Sequence, residues 1–338
     1  MSALSPGRIR ELVEQFREKR LLVIGDLMLD EFVWGQVRRI SPEAPVPVVE
    51  VTNETYYPGG AANVARNLRQ FARFVDLMGV IGHCRHAAQL RGLLDEEGIA
   101  THHLLEDASF QTIVKTRIIA RNQQVVRVDR EQLEPVSHAV HQLAIQSLTS
   151  ILPEVDGVII EDYGKGFLTQ PFVDGLLKRA AEAGKLVSID PNPTNPLQWQ
   201  GATVVKPNRL EAFTAAGLPD HGRRIANPVE DPQLLAVGRR LLEKWGMPQL
   251  LITLGEQGML LFEGANEPVH IRPQAREVFD VSGAGDTVIA LLTLGLSCGL
   301  SLTEAAEVAN HASGVVVGKI GTATVSPSEL IESFERDD

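Results

Sequence analysis

The chain is short of several things that large function classes require. Of its 338 residues only two are cysteine, Cys84 and Cys298, far apart and without a pairing pattern. A disulfide scaffold is excluded, and two isolated thiols suit a reducing compartment, as small buried hydrophobes. Aromatic residues make up 5%, too few to build base-stacking platforms. Positive charge is in deficit: 32 Lys and Arg face 43 Asp and Glu, a net charge of −11. That field repels nucleic-acid backbones and anionic membrane surfaces, so neither is expected as a partner. The longest uncharged stretch, Thr287 to Thr303, is too short to span a membrane and is broken by Gly295, Ser297 and Gly299. Met1 to Arg20 carries charge throughout and lacks the apolar core of a secretory signal, which leads to the expectation of a cytoplasmic protein. Also absent are Gly-x-x-x-x-Gly-Lys-Ser/Thr, a Gly-x-Gly-x-x-Gly after the first strand, and His-Glu-x-x-His or Cys/His zinc spacings. His102 and His103, read as neighbours on a strand, point to opposite faces and make poor co-ligands.

What is present is a rhythm. At 44% hydrophobic and 22% charged, the chain has ample apolar surface to bury. Short runs rich in Val, Ile and Leu (Leu21–Ile24, Val75–Met78, Gly157–Ile160, Leu186–Ile189, Thr203–Val205, Leu250–Leu254) alternate with helical patterns such as Ala87–Glu97, His138–Ile151, Pro171–Ala183 and Pro232–Lys244. Continuous apolar strands between amphipathic helices predict an α/β fold, a mostly parallel sheet covered on both faces. Ile9, Leu12, Val13 and Phe16 predict an N-terminal helix docked on it. With no linker to split the sequence, one domain over 1–338 is expected. Two segments break the rhythm: 33–52, with Pro42, Pro45 and Pro47 among β-formers, and 112–129, two strands around Arg121-Asn122-Gln123. Prolines confine a strand to an edge or an excursion. A small β-layer projecting from the main sheet is expected there, as a lid, a dimer contact or a plain surface hairpin pair.

The sharpest local pattern is Asp280-Val281-Ser282-Gly283-Ala284-Gly285-Asp286-Thr287, followed by the apolar helical run Val288–Leu296. Small residues at a helix start let backbone N–H groups converge at the positive end of the macrodipole, an anion hole. Asp286 on the first turn is placed to take a proton from an attacking hydroxyl; the alternative is a glycine turn with an ordinary helix-start aspartate. Pro58-Gly59-Gly60-Ala61-Ala62-Asn63 opens another helix, where paired glycines admit a ligand to the backbone and Asn63 offers donor and acceptor. Asp26 follows the first strand, with Asp30 four residues on. In an open α/β sheet such positions face the ligand crevice, and carboxylates there suit a polyol; helix capping is the alternative. Asn208 and Glu211 follow the strand ending at Val205 and read either as a capping box or as a site where Glu211 meets Mg²⁺ through water. The segment Thr253–Gly258, with Gly255 and Gly258, reads as a loop whose backbone meets phosphates, and Asn310 is placed to bond an adenine edge.

Gly59-Gly60-Ala-Ala-Asn63 and Asp280-Val-Ser-Gly-Ala-Gly-Asp286 resemble the two signatures of the ribokinase-like (PfkB) carbohydrate kinases, in order and separation, and the resemblance runs from about Leu21 to Leu330. Within that family the chain is most similar to the heptose 7-phosphate kinases of ADP-heptose synthesis, which feed the lipopolysaccharide core. The stretches Arg39–Val49, Arg121–Arg127, Gly314–Lys319 and Val325-Ser326-Pro327 carry that likeness. The resemblance implies a ribokinase-like three-layer α/β/α domain with a β-sheet lid, and ATP-dependent phosphorylation of the C1 hydroxyl of D-glycero-β-D-manno-heptose 7-phosphate to the 1,7-bisphosphate.

It further implies Asp286 as general base with an anion hole of Gly283, Ala284 and Gly285, and Asp26, Asp30, Gly59, Gly60 and Asn63 on sugar hydroxyls. Lys115, Arg117 and Arg121 are the candidates for the substrate phosphate. Asn208, Glu211, Thr253, Gly255, Gly258 and Asn310 would serve ATP and Mg²⁺. Asp280 and Ser282, with carbonyls near Val316, Lys319 and Gly321, would hold a monovalent cation such as K⁺. A homodimer through the lid is expected. Two departures stand out. Asn192 follows Asp190-Pro191 where the heptose kinases carry Lys, and no His-x-Gly-His motif of a nucleotidyltransferase occurs, so a single kinase activity is expected. The alternatives are a kinase of the same family acting on another sugar or sugar phosphate, and a non-catalytic sugar or nucleotide sensor on the same fold.

Overall fold

Residues of the apolar runs alternate between two faces, and both faces are covered by helices, so a single sheet organises two cores. The computed structural model describes residues 4–121, 123–131, 135–222, 225–274, 278–319 and 321–336; Asn122 of the expected lid turn lies outside them. In chain order the elements are α1 (Pro6–Arg17), β1 (Arg20–Gly25), β2 (Leu27–Ile40), β3 (Pro47–Gly60), α2 (Ala61–Arg69), β4 (Phe74–Ile81), α3 (Arg85–Glu96) and β5 (Leu104–Glu106). Then come β6 (Ile113–Ala120), β7 (Gln123–Arg130), α4 (His138–Ile151), β8 (Gly157–Glu161), α5 (Gln170–Glu182), β9 (Leu186–Asp190), β10 (Val204–Val205) and α6 (Arg209–Ala216). The last are α7 (Pro232–Trp245), β11 (Gln249–Thr253), β12 (Met259–Glu263), β13 (Val269–Ile271), α8 (Ala284–Ser297), α9 (Leu302–Val316) and α10 (Pro327–Glu335).

The main sheet has the order β13-β12-β11-β10-β9-β8-β1-β4-β5. It is parallel from β11 to β5, with β12 and β13 antiparallel at one edge. Leu21 and Val23 of β1 point into a core shared with α1, α2, α3, α8, α9 and α10. Leu22 and Ile24, one residue out of phase, point into a second core with α4, α5, α6 and α7. The result is the three-layer α/β/α arrangement that the sequence predicts. The uncharged run 287–303 is accounted for by α8, whose residues from Asp286 to Gly295 are all buried. Among the described residues, no helix is long and apolar enough to cross a membrane.

A second sheet, ordered β3-β2-β6-β7, is the projecting β-layer. It is longer than the expected 33–52 and 112–129: β2 starts at Leu27 and β3 ends at Gly60. The extra length was hidden because Leu27, Met28 and Leu29 are fully buried and read as core. Asp30 therefore sits on a lid strand instead of at the end of β1. Pro42 and Pro45 fall in the tip between β2 and β3 and Pro47 opens β3, where no ladder donor is lost. Register shifts mark Trp34/Gly35 and Val37/Arg39 in the β2–β3 pairing and Ile118/Ile119 in β6–β7, and Trp34 and Ile119 are themselves partners.

Two expectations are corrected. Cys84 is exposed and Cys298 half-buried, because they are the N-cap of α3 and the C-cap of α8, positions where a helix end emerges from the core. His102 and His103 lie in a turn, not on a strand, so their rings come side by side at 4.0 Å. With Asp76 they form a cluster of metal-ligating type, although Arg20 already holds both oxygens of Asp76, at 2.7 and 3.2 Å.

On α7, a Cβ at Gly238 would overlap the ring of Phe262 on β12. Alanine is the better helix former by about 1 kcal/mol, but forced overpacking costs about 1–3 kcal/mol. Gly238→Ala is expected to lower stability in urea unfolding, and Phe262→Leu in the same chain to restore part of the loss.

Candidate active site

The parallel strands end in one row, and their register decides which polar residues become neighbours. Gly25 pairs with Glu161, and Glu161 with Asp190; Val205 pairs with Ile189, so the next residue, Lys206, stands beside Asp190. Its Nζ lies 2.7 Å from Asp190 Oδ2. Burial works against the lysine's charge, yet Asp190 beside it holds its pKa above the usual value. Burial likewise raises the carboxyls of Asp190 and, well above the ordinary range, Glu161, which also feels Asp190 and Asp286. Glu161 Oε2 is buried without a hydrogen-bond partner.

Above this row sits the N-terminus of α8. Gly283 caps it with φ 77°, a left-handed conformation that glycine adopts without strain. Asp286 on the first turn accepts from Asn63 Nδ2 at 2.6 Å and from the Tyr163 hydroxyl at 3.2 Å. Burial pushes its carboxyl up to about 6, against those two hydrogen bonds, with Asp190 adding to the rise and Lys206 opposing it. Of the three glycine-turn amides, that of Ala284 already donates to Val281 O at 3.2 Å.

The lid side assembles the next group. Gly60 has φ 60° and ψ −137°, and a Cβ there would come within 2.5 Å of Asp26 O; a Cβ at Gly59 would come within 2.5 Å of Asp30 Oδ2. The pair thus lets β3 pass close under both aspartates and launch α2 with Asn63 aimed at Asp286. Asp26 is buried, and its carboxylate accepts from the amides of Tyr163 (3.0 Å), Lys165 (3.0 Å) and Phe167 (3.4 Å). Most of its acceptor capacity therefore fixes the loop after β8. Asp30 is ion-paired with Arg117, whose guanidinium also lies over Phe32. Lys115 Nζ stands 5.7 Å from the Tyr163 ring centre, its pKa lowered by burial and by Lys165. Arg121 does not join them. It is exposed at the far turn of the lid, and six residues of extended chain separate it from Lys115, about 20 Å.

On the other side of Gly285 opens a cavity of about 490 Å³ lined by Thr253, Gly255, Gly258, Ala284, Gly285 and Asn310, with apolar walls from Val278, Val281 and Val288. Asn310 Nδ2 donates to Arg272 O at 2.6 Å, which leaves its carbonyl oxygen for the cavity. Asn208 and Glu211 make both bonds of a capping box on α6, 3.0 and 2.7 Å long, so the structural reading of this pair is realised. Glu211 keeps its second carboxylate oxygen, and burial and Asp190 raise its pKa.

Two ions are implied. Glu161, Asp190, Glu211 and Asp286 all feel the charge of the single ammonium group of Lys206. With the orphaned oxygen of Glu161, that imbalance fits a divalent cation. Several oxygens expected around a monovalent cation each accept one hydrogen bond: Asp280 accepts from the amides of Ser282 (2.9 Å) and Gly321 (3.1 Å), Val316 O takes Lys319 N–H, and Gly321 O takes Ala323 N–H. A carbonyl oxygen has two lone pairs and a carboxylate about four acceptor sites, so these groups keep capacity for such an ion.

Lys206, Asp190, Glu161 and Tyr163 were not among the expected site residues. The available signal was simple: each is at the end of an apolar strand or within the next two residues, the rule by which Asp26 was placed at the crevice.

Residues 18–329 match the family described as pfkB family carbohydrate kinase. The "Bifunctional protein HldE" of Citrifermentans bemidjiense is 44% identical over 326 residues, covering 95% of this chain and 65% of that protein. The protein of the same name from Desulfatibacillum aliphaticivorans is 43% identical over 318 residues, 94% of this chain and 63% of that one. The chain thus spans less than two thirds of the length of these relatives. A solved structure of Arabidopsis thaliana ribokinase complexed with ribose and ATP superposes with a TM-score of 0.70 at 18% identity, covering 94% of this chain and 99% of that one, a likeness of fold. Site geometry, family match and relatives converge: the chain belongs to the pfkB family of carbohydrate kinases and is a sugar kinase, a phosphotransferase.

Proposed function

We propose that the chain transfers the γ-phosphoryl group of ATP to the C1 hydroxyl of D-glycero-β-D-manno-heptose 7-phosphate, giving the 1,7-bisphosphate and ADP, a step of heptose biosynthesis. One observation carries the reading: Asp286, bonded to Asn63 and Tyr163, stands at the helix terminus that separates the apolar cavity from the lid. Adenine and ribose fit the cavity side, against Thr253, Gly255, Gly258 and Asn310. The sugar fits the lid side, near Asp30, Gly59 and Asn63. Lys115 and Arg117 lie two residues apart on β6, on one face of the strand, and suit a sugar phosphate. The acceptor's identity rests on the sequence resemblance of the segments at 39–49, 121–127 and 314–319 to heptose 7-phosphate kinases.

In this reading Asp286 takes the proton of the C1 hydroxyl as its oxygen bonds to the γ-phosphorus and the bond to the β–γ bridging oxygen breaks. The amides of Gly283 and Gly285 and the α8 dipole hold the charge on the transferred group. Glu211 would hold Mg²⁺ through water, beside Glu161; that ion, when bound, neutralises phosphate charge. The exposed lid residues Val125, Val126 and Val128 on β7, with Ile40 and Val51, are the surface proposed to pair two copies of the chain.

The direct test is ADP release over a panel of sugars and sugar phosphates. Turnover on heptose 7-phosphate is expected, and its absence with turnover on another sugar would move the assignment to that acceptor. Asp286→Asn should bind nucleotide yet lose at least ~10²-fold in kcat, the usual scale for a positioned base.

The pH dependence follows from the same carboxyl. Asp286 must be ionised to act, so kcat/KM should fall on the acid side with a midpoint near pH 6, the value to which burial raises it in the free protein. Stability should move the other way. Between an unfolded pKa of 3.8 and the folded value of about 6, the native state binds the extra proton, so stability falls as pH rises through that window. Ionised Asp286 costs the fold about 3 kcal/mol, and Asp286→Asn should raise Tm at pH 8 more than at pH 4. Light scattering should report a dimer that Val126→Lys with Val128→Lys dissociates.

A further inference from the structure

Lys206 is an anomaly as a purely structural residue. A lysine at 2% exposure is costly to bury unless paired, and an apolar side chain of similar volume often serves the fold as well. Its partner Asp190, at the end of the next strand, is only partly covered, with its side chain 14% exposed. The pair also lies under the N-terminus of α8, which is built from the small residues Gly283, Ala284 and Gly285. A Cβ on Gly285 would be 3.5 Å from Lys206 Nζ and 3.9 Å from Asp190 Oδ2. Gly285 also lines the nucleotide-sized cavity. The missing side chain at 285 is therefore an opening between that cavity and the ammonium group. A cation placed against the positive end of a helix is unfavourable by itself. The arrangement becomes favourable when an anion bridges the two.

Resting on the kinase reading above, we infer that Lys206 is a catalytic residue: its ammonium contacts the phosphoryl group in transit through the gap at Gly285, and Asp190 holds it there between turnovers. The amides of α8 meet the group from one side and Lys206 from the other. The lysine supplies charge only. The proton of the acceptor goes to Asp286, and no bond to nitrogen forms or breaks.

The experiment compares the full chain with Lys206→Met and with Asp190→Asn/Lys206→Met. The double variant removes both charges of the pair and so leaves no unpaired buried ion to unfold the protein. Turnover is followed by ADP release, and binding of ATP, ADP and adenosine is measured by calorimetry without acceptor. Both variants are expected to lose ~10²- to 10³-fold in kcat, the scale of removing one donor to a developing anion. The acceptor KM should change less than ~3-fold, the mark of an interaction made mainly in the transition state. Adenosine binding should be unchanged, while ATP is weakened more than ADP. Turnover of the double variant within ~5-fold of the unaltered chain would overturn the inference, as would equal weakening of adenosine, ADP and ATP, which marks a structural pair. Failure of the unaltered chain to bind ATP and to phosphorylate any sugar is a separate result, and it would overturn the kinase reading itself.

Discussion

The hydrogen bond from Asn63 to Asp286 joins positions 223 residues apart, and three parts of the molecule meet at it. Asn63 is fixed by α2, α2 is launched by the glycine pair that ends the lid strand β3, and Asp286 is fixed by a helix buried from Asp286 to Gly295. The carboxylate is thereby oriented by the lid's own root. A displacement of β3 at Gly59 or Gly60 is felt at Asp286 through one side chain. Conversely, α8 is held in place, because the first core closes around Val288 to Leu294 and close-packed interiors transmit displacement.

Electrostatics make the same floor a place of stored tension. Glu161, Asp190, Glu211 and Asp286 are all raised from their ordinary pKa values by burial, and one oxygen of Glu161 has no hydrogen-bond partner. Groups with shifted pKa values concentrate where chemistry is done. Here the shifts share one origin, the parallel register that sets strand ends side by side. These carboxyls, with the unpartnered oxygen of Glu161, favour a divalent cation and its phosphates together over phosphates alone.

How much of this was legible in the sequence differs between layers. Continuous apolar runs sufficed for six of the nine strands of the main sheet, those buried on both faces, while β5, β12 and β13 towards its edges were missed. The lid's root was missed because Leu27–Leu29 serve the core and the lid at once. The glycine-rich turns were legible because few other uses require three small residues before an apolar helix. Lys206, Asp190 and Glu161 were not singled out, because their meaning comes from lateral register, and neighbours across a sheet are remote in sequence. Asn208 and Glu211 show the converse difficulty: a local capping box satisfies the same pattern as a ligand site, and both bonds of the box are made. The misjudged cysteines and histidines share a cause, position at a helix end or turn, where periodicity rules lapse.

Two of the three register shifts in the small sheet lie at one level: Trp34/Gly35 on β2 and Ile118/Ile119 on β6, with Trp34 and Ile119 facing each other. Bulges bend and twist a sheet locally, so together they draw a crease across it. Below the crease Asp30, Lys115 and Arg117 belong to the floor and keep fixed positions relative to Asp286. Above it projects the outer half, with Ile40 and Val51 exposed. In the proposed reading, acceptor orientation belongs to the floor and acceptor size to that outer half, so the two traits can diverge independently.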